Sequence, residues 1–329
     1  MKYYCIVIGA VQQVQLCYLS RNPYFAYMKY LVSCTLLLIL TGAAAFAQKE
    51  DKQLTALLRP YLEKHHGVAG IYVHHLKKDR YVAINADTLF PTASTIKMTI
   101  MAGIFDKIAK GELQYHQPLV YKDSLLYAGE DILGSFKNGE QITLDKVMML
   151  MLTMSDNTAS LWLQSLAGGG QQINAWLEAH GFVNTRVNSR TPGREANRTA
   201  LGWGQTSPRE MARLMEMIYR GEVVSTAASE RMYRNLTRNY WDQEGLLEFP
   251  KQVRTASKNG AVDGSRSEVV MVNAAHGDFV YSIYTKNNLD QSWERDNEAW
   301  QLLRQVARTI WNYYEGKDKR VPDPGVGQF

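Results

Sequence analysis

Residues 252–285 read QVRTASKNGAVDGSRSEVVMVNAAHGDFVYSIYT. Three β-rich runs lie in or beside this stretch, at 252–259, 268–274 and 278–285. An amphipathic stretch from Trp293 to Tyr314 follows and predicts a closing helix. At the other end of the chain, Val68 to Leu76 and Arg80 to Asn85 are short β-rich runs around a Lys-Lys-Asp turn, which predicts a hairpin. Before it, residues 51–66 carry helical apolar spacing, with Pro60 expected to kink or break the helix. The middle reads as mostly helical, most clearly at Ser94 to Lys110 (ending at Gly111), Leu144 to Met154, Ala159 to Ala167, Gln171 to His180 and Pro208 to Tyr219. The expected fold is therefore α/β (α+β): one antiparallel sheet built from both chain ends, flanked by helices, with an inserted mostly helical domain. The expected division is 48–93 plus 251–329 for the sheet domain and 94–250 for the helical one. A cleft between them is where a ligand would sit. The tail VPDPGVGQF is expected to be loose.

The first 47 residues read as targeting. From Met28 the chain runs MKYLVSCTLLLILTGAAAFAQ: a lysine, an apolar run from Leu31 to Leu40, and a small-x-small site at Ala45-Phe46-Ala47. That is the form of a secretory signal cleaved near Ala47, which predicts export to the periplasm and no stable membrane span after cleavage. All three cysteines, Cys5, Cys17 and Cys34, fall in the part expected to be lost. The mature chain is then expected to have no disulfide, thiolate metal site or cysteine nucleophile. Of the formal charge of +5, Lys2, Arg21 and Lys29 supply three, with no acid among them. The remainder lacks the basic excess that would point to nucleic acid or an anionic membrane surface.

Three short motifs carry possible chemistry. Ser94-Thr95-Ile96-Lys97 places a serine and a lysine three apart near a helix start, so they share a face. A serine hydroxyl becomes a nucleophile when a neighbouring base takes its proton, and a partly neutral lysine can do so. The bland alternative is a helix cap followed by a surface lysine. Ser155-Asp156-Asn157 follows an apolar helical run and can turn a hydroxyl and an amide into one cleft. Its bland alternative is ordinary turn chemistry. Lys258-Asn259-Gly260-Ala261 ends a β-rich run, where a strand edge, a cation and a glycine allow close approach of an extended substrate. Here the alternative is a strand end with a surface lysine.

Their order and spacing change the reading. Ser94 to Ser155 is 61 positions and Ser155 to Lys258 is 103. The set resembles the Ser-x-x-Lys, Ser-Asp-Asn and Lys-Thr-Gly motifs of class A β-lactamases and penicillin-binding proteins. Thr206 to Leu214 is similar to the family's helix start after the Ω-loop, here near 186–205, and Gly264-Ser265-Arg266 to its carboxylate-binding arginine. The resemblance covers roughly residues 50–315. It implies a serine hydrolase in which Ser94 is acylated, Lys97 is base or relay, and Ser155 passes a proton to the leaving nitrogen. It also implies an oxyanion hole from the N–H groups of Ser94 and Ala261, an amide contact from Asn157, and carboxylate binding by Lys258 and Arg266, with Asn259 and Gly260 as further substrate-binding positions. The implied substrate is a small β-lactam or a peptidoglycan-like molecule, bound by a monomer without cofactor.

Two departures matter. Asn259 stands where the family has Thr or Ser, and Thr191-Pro192 stands where it has Glu-Pro. The nearest acid, Glu195, is four residues on, so Thr191 and Glu195 mark the possible deacylation region. Acylation with slow deacylation is therefore expected. The rivals are a D-Ala-D-Ala peptidase and a non-catalytic β-lactam-binding sensor. A metal hydrolase is disfavoured: there is no HExxH, and His74 and His75 would point to opposite faces of a strand.

Overall fold

The computed structural model describes residues 48–127, 129 and 132–316. The segment expected to act in targeting, the three cysteines and the tail expected to be loose lie outside the described residues.

The chain begins with β1 (Lys49–Glu50), α1 (Lys52–Lys64), β2 (Val68–His75) and β3 (Arg80–Ile84). A short β4 (Phe90–Pro91) leads to a 3-10 turn, Ala93–Ile96, and α2 (Lys97–Ala109). Strands β5 (Pro118–Val120) and β6 (Gln141–Thr143) form a small hairpin before α3 (Leu144–Met149), α4 (Asn157–Leu166) and α5 (Gly169–Ala179). Next come β7 (Arg186–Val187), α6 (Glu195–Leu201), β8 (Gly204–Thr206), α7 (Pro208–Arg220) and α8 (Thr226–Leu236). The chain closes with β9 (Thr255–Val262), β10 (Ser265–Val272), β11 (Phe279–Lys286) and α9 (Glu298–Glu315).

The main sheet has the order β1-β3-β2-β11-β10-β9, so strands from the two chain ends meet at the β2–β11 pairing. All its pairings are antiparallel except the two-residue β1, which runs parallel to β3. Both faces are buried, so Val269–Val272 of β10 and most of β11 are apolar on both sides, while the polar first half of β10 is buried as well. Alternation sends Val269, Met271, Val280 and Tyr284 into the core shared with α2 and α7, while Val270, Val272, Tyr281 and Ile283 pack on α1 and α9.

Several boundaries differ from expectation for identifiable reasons. Pro60 does not break α1: both Pro60 and Ala56, whose carbonyl loses its donor, are exposed to water, while Leu54, Leu58 and Leu62 stay buried. Strand β9 runs on to Val262 because Val262 pairs with Ser265 across a two-residue Asp263-Gly264 turn. This moves Lys258, Asn259 and Gly260 from a strand end to mid-strand. Helix α9 starts at Glu298, not Trp293, because the Asn297 side chain caps it, accepting from the N–H groups of Ala299 (3.1 Å) and Trp300 (3.3 Å).

His74 and His75 face opposite sides of β2. His75 meets the Tyr314 ring edge-on at 4.5 Å. His74 is buried between Glu216 (Nδ1 to Oε2, 2.8 Å) and Asp79 (Nε2 to Oδ1, 3.0 Å). Burial works against a charged ring, but the bonds to Glu216 and Asp79 outweigh it and raise the pKa. A raised native pKa stabilises the fold below the unfolded value of about 6.5, and this stabilisation fades as pH rises through the native pKa. Urea midpoints are therefore expected to fall between pH 6 and 8.5, and a His74→Gln variant should flatten that fall. An unchanged slope would remove the assignment.

Candidate active site

The turn Ala93–Ile96 seats Ser94 at the head of α2. Ala93 takes φ +44°, unusual for a residue with a side chain. Thr95 locks the turn: its Oγ1 donates to Thr92 O (2.8 Å) and accepts from the Tyr284 hydroxyl (2.8 Å) on β11. Strand β9 then crosses close by. A methyl group at Gly260 would lie 2.6 Å from Thr92 O and 2.9 Å from Ser94 N, so only glycine lets the strand approach the serine this closely.

Ser155 comes from the opposite wall. Helix α3 loosens into a π-helical turn, Leu150–Met154, which ends at Ser155 in the left-handed conformation (φ +61°). Asp156 is structural. Its Oδ1 caps α4 through Ala159 N (2.7 Å), and its Oδ2 accepts from Leu133 N (3.0 Å). The result is convergence on one ammonium group. Lys97, fully buried, places Nζ 3.0 Å from Ser94 Oγ, 3.0 Å from Ser155 Oγ and 2.9 Å from Asn157 Oδ1, and also donates to Ser155 O.

Lys258 lies on β9 and is also fully buried. Its Nζ donates to Asn259 O (2.8 Å) and Asn259 Oδ1 (3.1 Å). Burial, with the Lys97 charge adding to it, holds its pKa well below the usual lysine range. The segment 239–241 staples the two walls together, a contribution no motif signalled. Asn239 Nδ2 bonds Ser257 Oγ (3.0 Å), Tyr240 N donates to Thr153 O (3.1 Å) and Trp241 Nε1 to Met154 O (2.9 Å).

An open cleft of about 660 Å³ adjoins Ser94. Asn157, Tyr127, Trp203 and Ala261 line it with Ser94, and it continues past Val262 and Gly264 to Lys286. Tyr127 and Trp203 meet edge to face at 5.1 Å.

Arg266 does not reach this cleft, contrary to its expected role in binding a substrate carboxylate. Its neighbour Ser267 faces the serine turn, with Oγ donating to Gly260 O (3.2 Å) and Thr92 O (3.3 Å). Alternation therefore turns Arg266 to the other face of the sheet. There its guanidinium lies 4.5 Å from the Trp293 ring and 4.7 Å from the Trp300 ring, and donates to Val262 O, Ser265 O (3.1 Å) and Ser292 O (2.8 Å). An Arg266→Ala variant is expected to lose roughly 2–3 kcal/mol of stability, while the acylation rate at Ser94 stays within about threefold. Denaturation and acylation kinetics on the same sample check both halves; a much slower acylation with stability intact would reverse the assignment.

Thr191 and Glu195 also stand away from the cleft. Thr191 is buried against α5: its Oγ1 donates to Ser189 O (2.9 Å), and a methyl on Gly170 would come within 1.8 Å of Thr191 Oγ1. Glu195 is exposed, and its Oε1 accepts from Gly193 N (3.1 Å) at the start of α6. Neither side chain borders the cleft beside Ser94, so the region expected to supply a deacylation base supplies none in this arrangement. Glu210, by contrast, is buried and anchors the entry to segment 186–205. It accepts from Val183 N (2.7 Å), Asn184 N (2.9 Å), Thr185 N (2.7 Å) and Thr185 Oγ1 (2.6 Å).

Comparison with known proteins places the chain in a family. β-Lactamase VEB-1 from Pseudomonas aeruginosa is 21% identical over 295 residues, which cover 85% of this chain and 97% of VEB-1. β-Lactamase PSE-4 from the same organism is 23% identical over 302 residues, covering 89% of this chain and 100% of PSE-4. Among solved structures, PBP-A superposes with a TM-score of 0.73 at 25% identity, covering 82% of this chain and 98% of that one. A point mutant of PBP-A, solved as its acyl-enzyme complex with penicillin G, matches equally well (TM-score 0.73, 25% identity, 82% and 99% covered). No helix among the described residues is long and apolar enough to cross a membrane. A sequence model of the β-lactamase enzyme family matches residues 50–314, four-fifths of the chain, and with the class A relatives it establishes that this protein belongs to that family.

Proposed function

We propose that the protein is a serine hydrolase whose Ser94 is acylated by β-lactams and released slowly. The observation that carries this reading is the position of Lys97 Nζ, at 3.0 Å from both the Ser94 and the Ser155 hydroxyl oxygens. An uncharged Lys97 amine can take the Ser94 proton as Oγ bonds to the lactam carbonyl carbon. The resulting oxyanion would be met by the N–H groups of Ser94 and Ala261. The C–N bond then breaks, and Ser155 Oγ hands a proton to the departing nitrogen, drawing on the Lys97 ammonium. Asn157, whose Oδ1 accepts from Lys97, lines the cleft where the amide of an acyl side chain would meet it. Lys258 and the Asn259 amide remain for the substrate carboxylate, which would favour the charged form of Lys258.

Deacylation needs a base within hydrogen-bond reach of a water beside Ser94, and its loss slows the step by roughly 100- to 10,000-fold. A chromogenic cephalosporin is expected to give a burst equal to the enzyme concentration, then slow turnover. Fast linear turnover without a burst would reject slow deacylation.

The placement of Thr191 and Glu195, with the likeness to PBP-A, favours a second reading. In it the same Ser94 chemistry acts on D-Ala-D-Ala termini, and β-lactams are inhibitors. Release of D-Ala from a D-Ala-D-Ala peptide faster than steady-state cephalosporin hydrolysis would select it. We further propose export through the segment beginning at Met28, and a division into a sheet domain (48–93 plus 251–329) and a helical domain (94–250) with the cleft between.

A further inference from the structure

We infer that the cleft carries an anion subsite at its Lys286 end, which selects acyl groups bearing a distal carboxylate. Lys286 is the only charged side chain among the described residues that line the cleft. It is half-buried at the end of β11, its Nζ donating to Leu89 O (2.9 Å) and lying 5.2 Å from the centroid of the Phe90 ring. Those contacts fix the side chain but leave N–H capacity unused, because an ammonium group has three donors. Among the described residues its hydrogen-bond partner is the Leu89 carbonyl, and no carboxylate lies in ion-pair reach of it. Asn287 and Gln291 border the same end and add side-chain amides, and none of the lining residues is acidic; the neighbouring Asp263 and Asp290 carboxylates accept from Trp293 Nε1 (2.9 Å) and Glu298 N (2.8 Å).

Direction follows from the chemistry proposed above, on which this inference rests. In that chemistry Ser155, which is not among the residues lining the cleft, serves the leaving group, so the acyl portion would occupy the cleft that Ser94, Ala261, Val262 and Lys286 line together. A partly desolvated lysine facing an otherwise neutral wall favours a carboxylate through charge-assisted hydrogen bonds. The substrate class is an acyl or peptide chain whose far end is anionic.

The test compares glutaryl-6-aminopenicillanic acid with its pentanoyl counterpart, which differ by a terminal carboxylate against a methyl group. Acylation of the wild-type protein is expected to favour the glutaryl compound by about tenfold or more, less so at high salt. Lys286→Met should erase the preference while leaving the pentanoyl rate within about twofold, and Lys286→Glu should invert it. Equal wild-type rates, or a parallel loss of both rates in Lys286→Met, overturn the inference. Calorimetric binding of the two compounds to the Ser94→Ala protein reads the subsite without chemistry. Preference there, with no adduct on the wild type, would keep the subsite and reject the acyl-enzyme. Adducts with no preference would do the reverse.

Discussion

A Lys97→Met variant is expected to acylate Ser94 at least about a thousandfold more slowly than the wild-type protein, in the upper part of the range for a lost general base. The two side chains are similar in length, so the change removes the amine without opening a large cavity. It removes the amine that lies 3.0 Å from both hydroxyls, and with it the proposed proton acceptor for Ser94 and proposed proton source for Ser155. Lys97 is fully buried among oxygen acceptors that include Asn157 Oδ1 and Ser155 O, so its loss also leaves those acceptors short of a donor. Stability and rate should therefore be measured together. Stopped-flow acylation of a variant shown to be folded by circular dichroism gives the answer. A rate within tenfold of wild type would assign the base elsewhere.

A Glu210→Ala variant is expected to lose roughly 4 kcal/mol of stability. One carboxylate collects the backbone N–H groups of Val183, Asn184 and Thr185 together with the Thr185 hydroxyl. Deleting it leaves the buried Thr185 N–H and the part-buried N–H groups of Val183 and Asn184 without their acceptor where the chain enters segment 186–205. Glu210→Gln keeps an acceptor and should cost less than half as much. Urea denaturation gives both numbers, and limited proteolysis should find segment 186–205 newly sensitive in Glu210→Ala. A loss below about 1 kcal/mol would show that water replaces the carboxylate.

Much of this was legible from sequence because it is local. The serine, lysine and Ser-Asp-Asn motifs fall on helix starts and turns, where spacing alone fixes which side chains share a face. The sheet was legible as β-rich runs at both ends, but the pairing that joins them, β2 with β11, is set by the packing and had no sequence signal. What failed was register. The Asp263-Gly264 turn sets β9 against β10, and that register decides that Ser267 faces Ser94 while Arg266 turns to Trp293 and Trp300. The motif Gly264-Ser265-Arg266 contains the arginine but not its direction. Likewise, Thr191 could be aligned with a catalytic position, but its burial against Gly170 depends on how α5 packs. The staple by Asn239 and Trp241 had no signal at all, since it consists of single bonds to distant backbone and side-chain atoms. Lys286, far from every motif, enters only because β11 ends at the cleft.

The most direct measurement of the central claim is the intact mass of the protein after brief incubation with penicillin G, followed by peptide mapping. A mass gain of one whole penicillin, carried by the peptide containing Ser94, persisting for minutes and absent from Ser94→Ala, is the predicted result. An unmodified protein whose penicillin is also unconsumed, or an adduct on any other residue, would contradict the account.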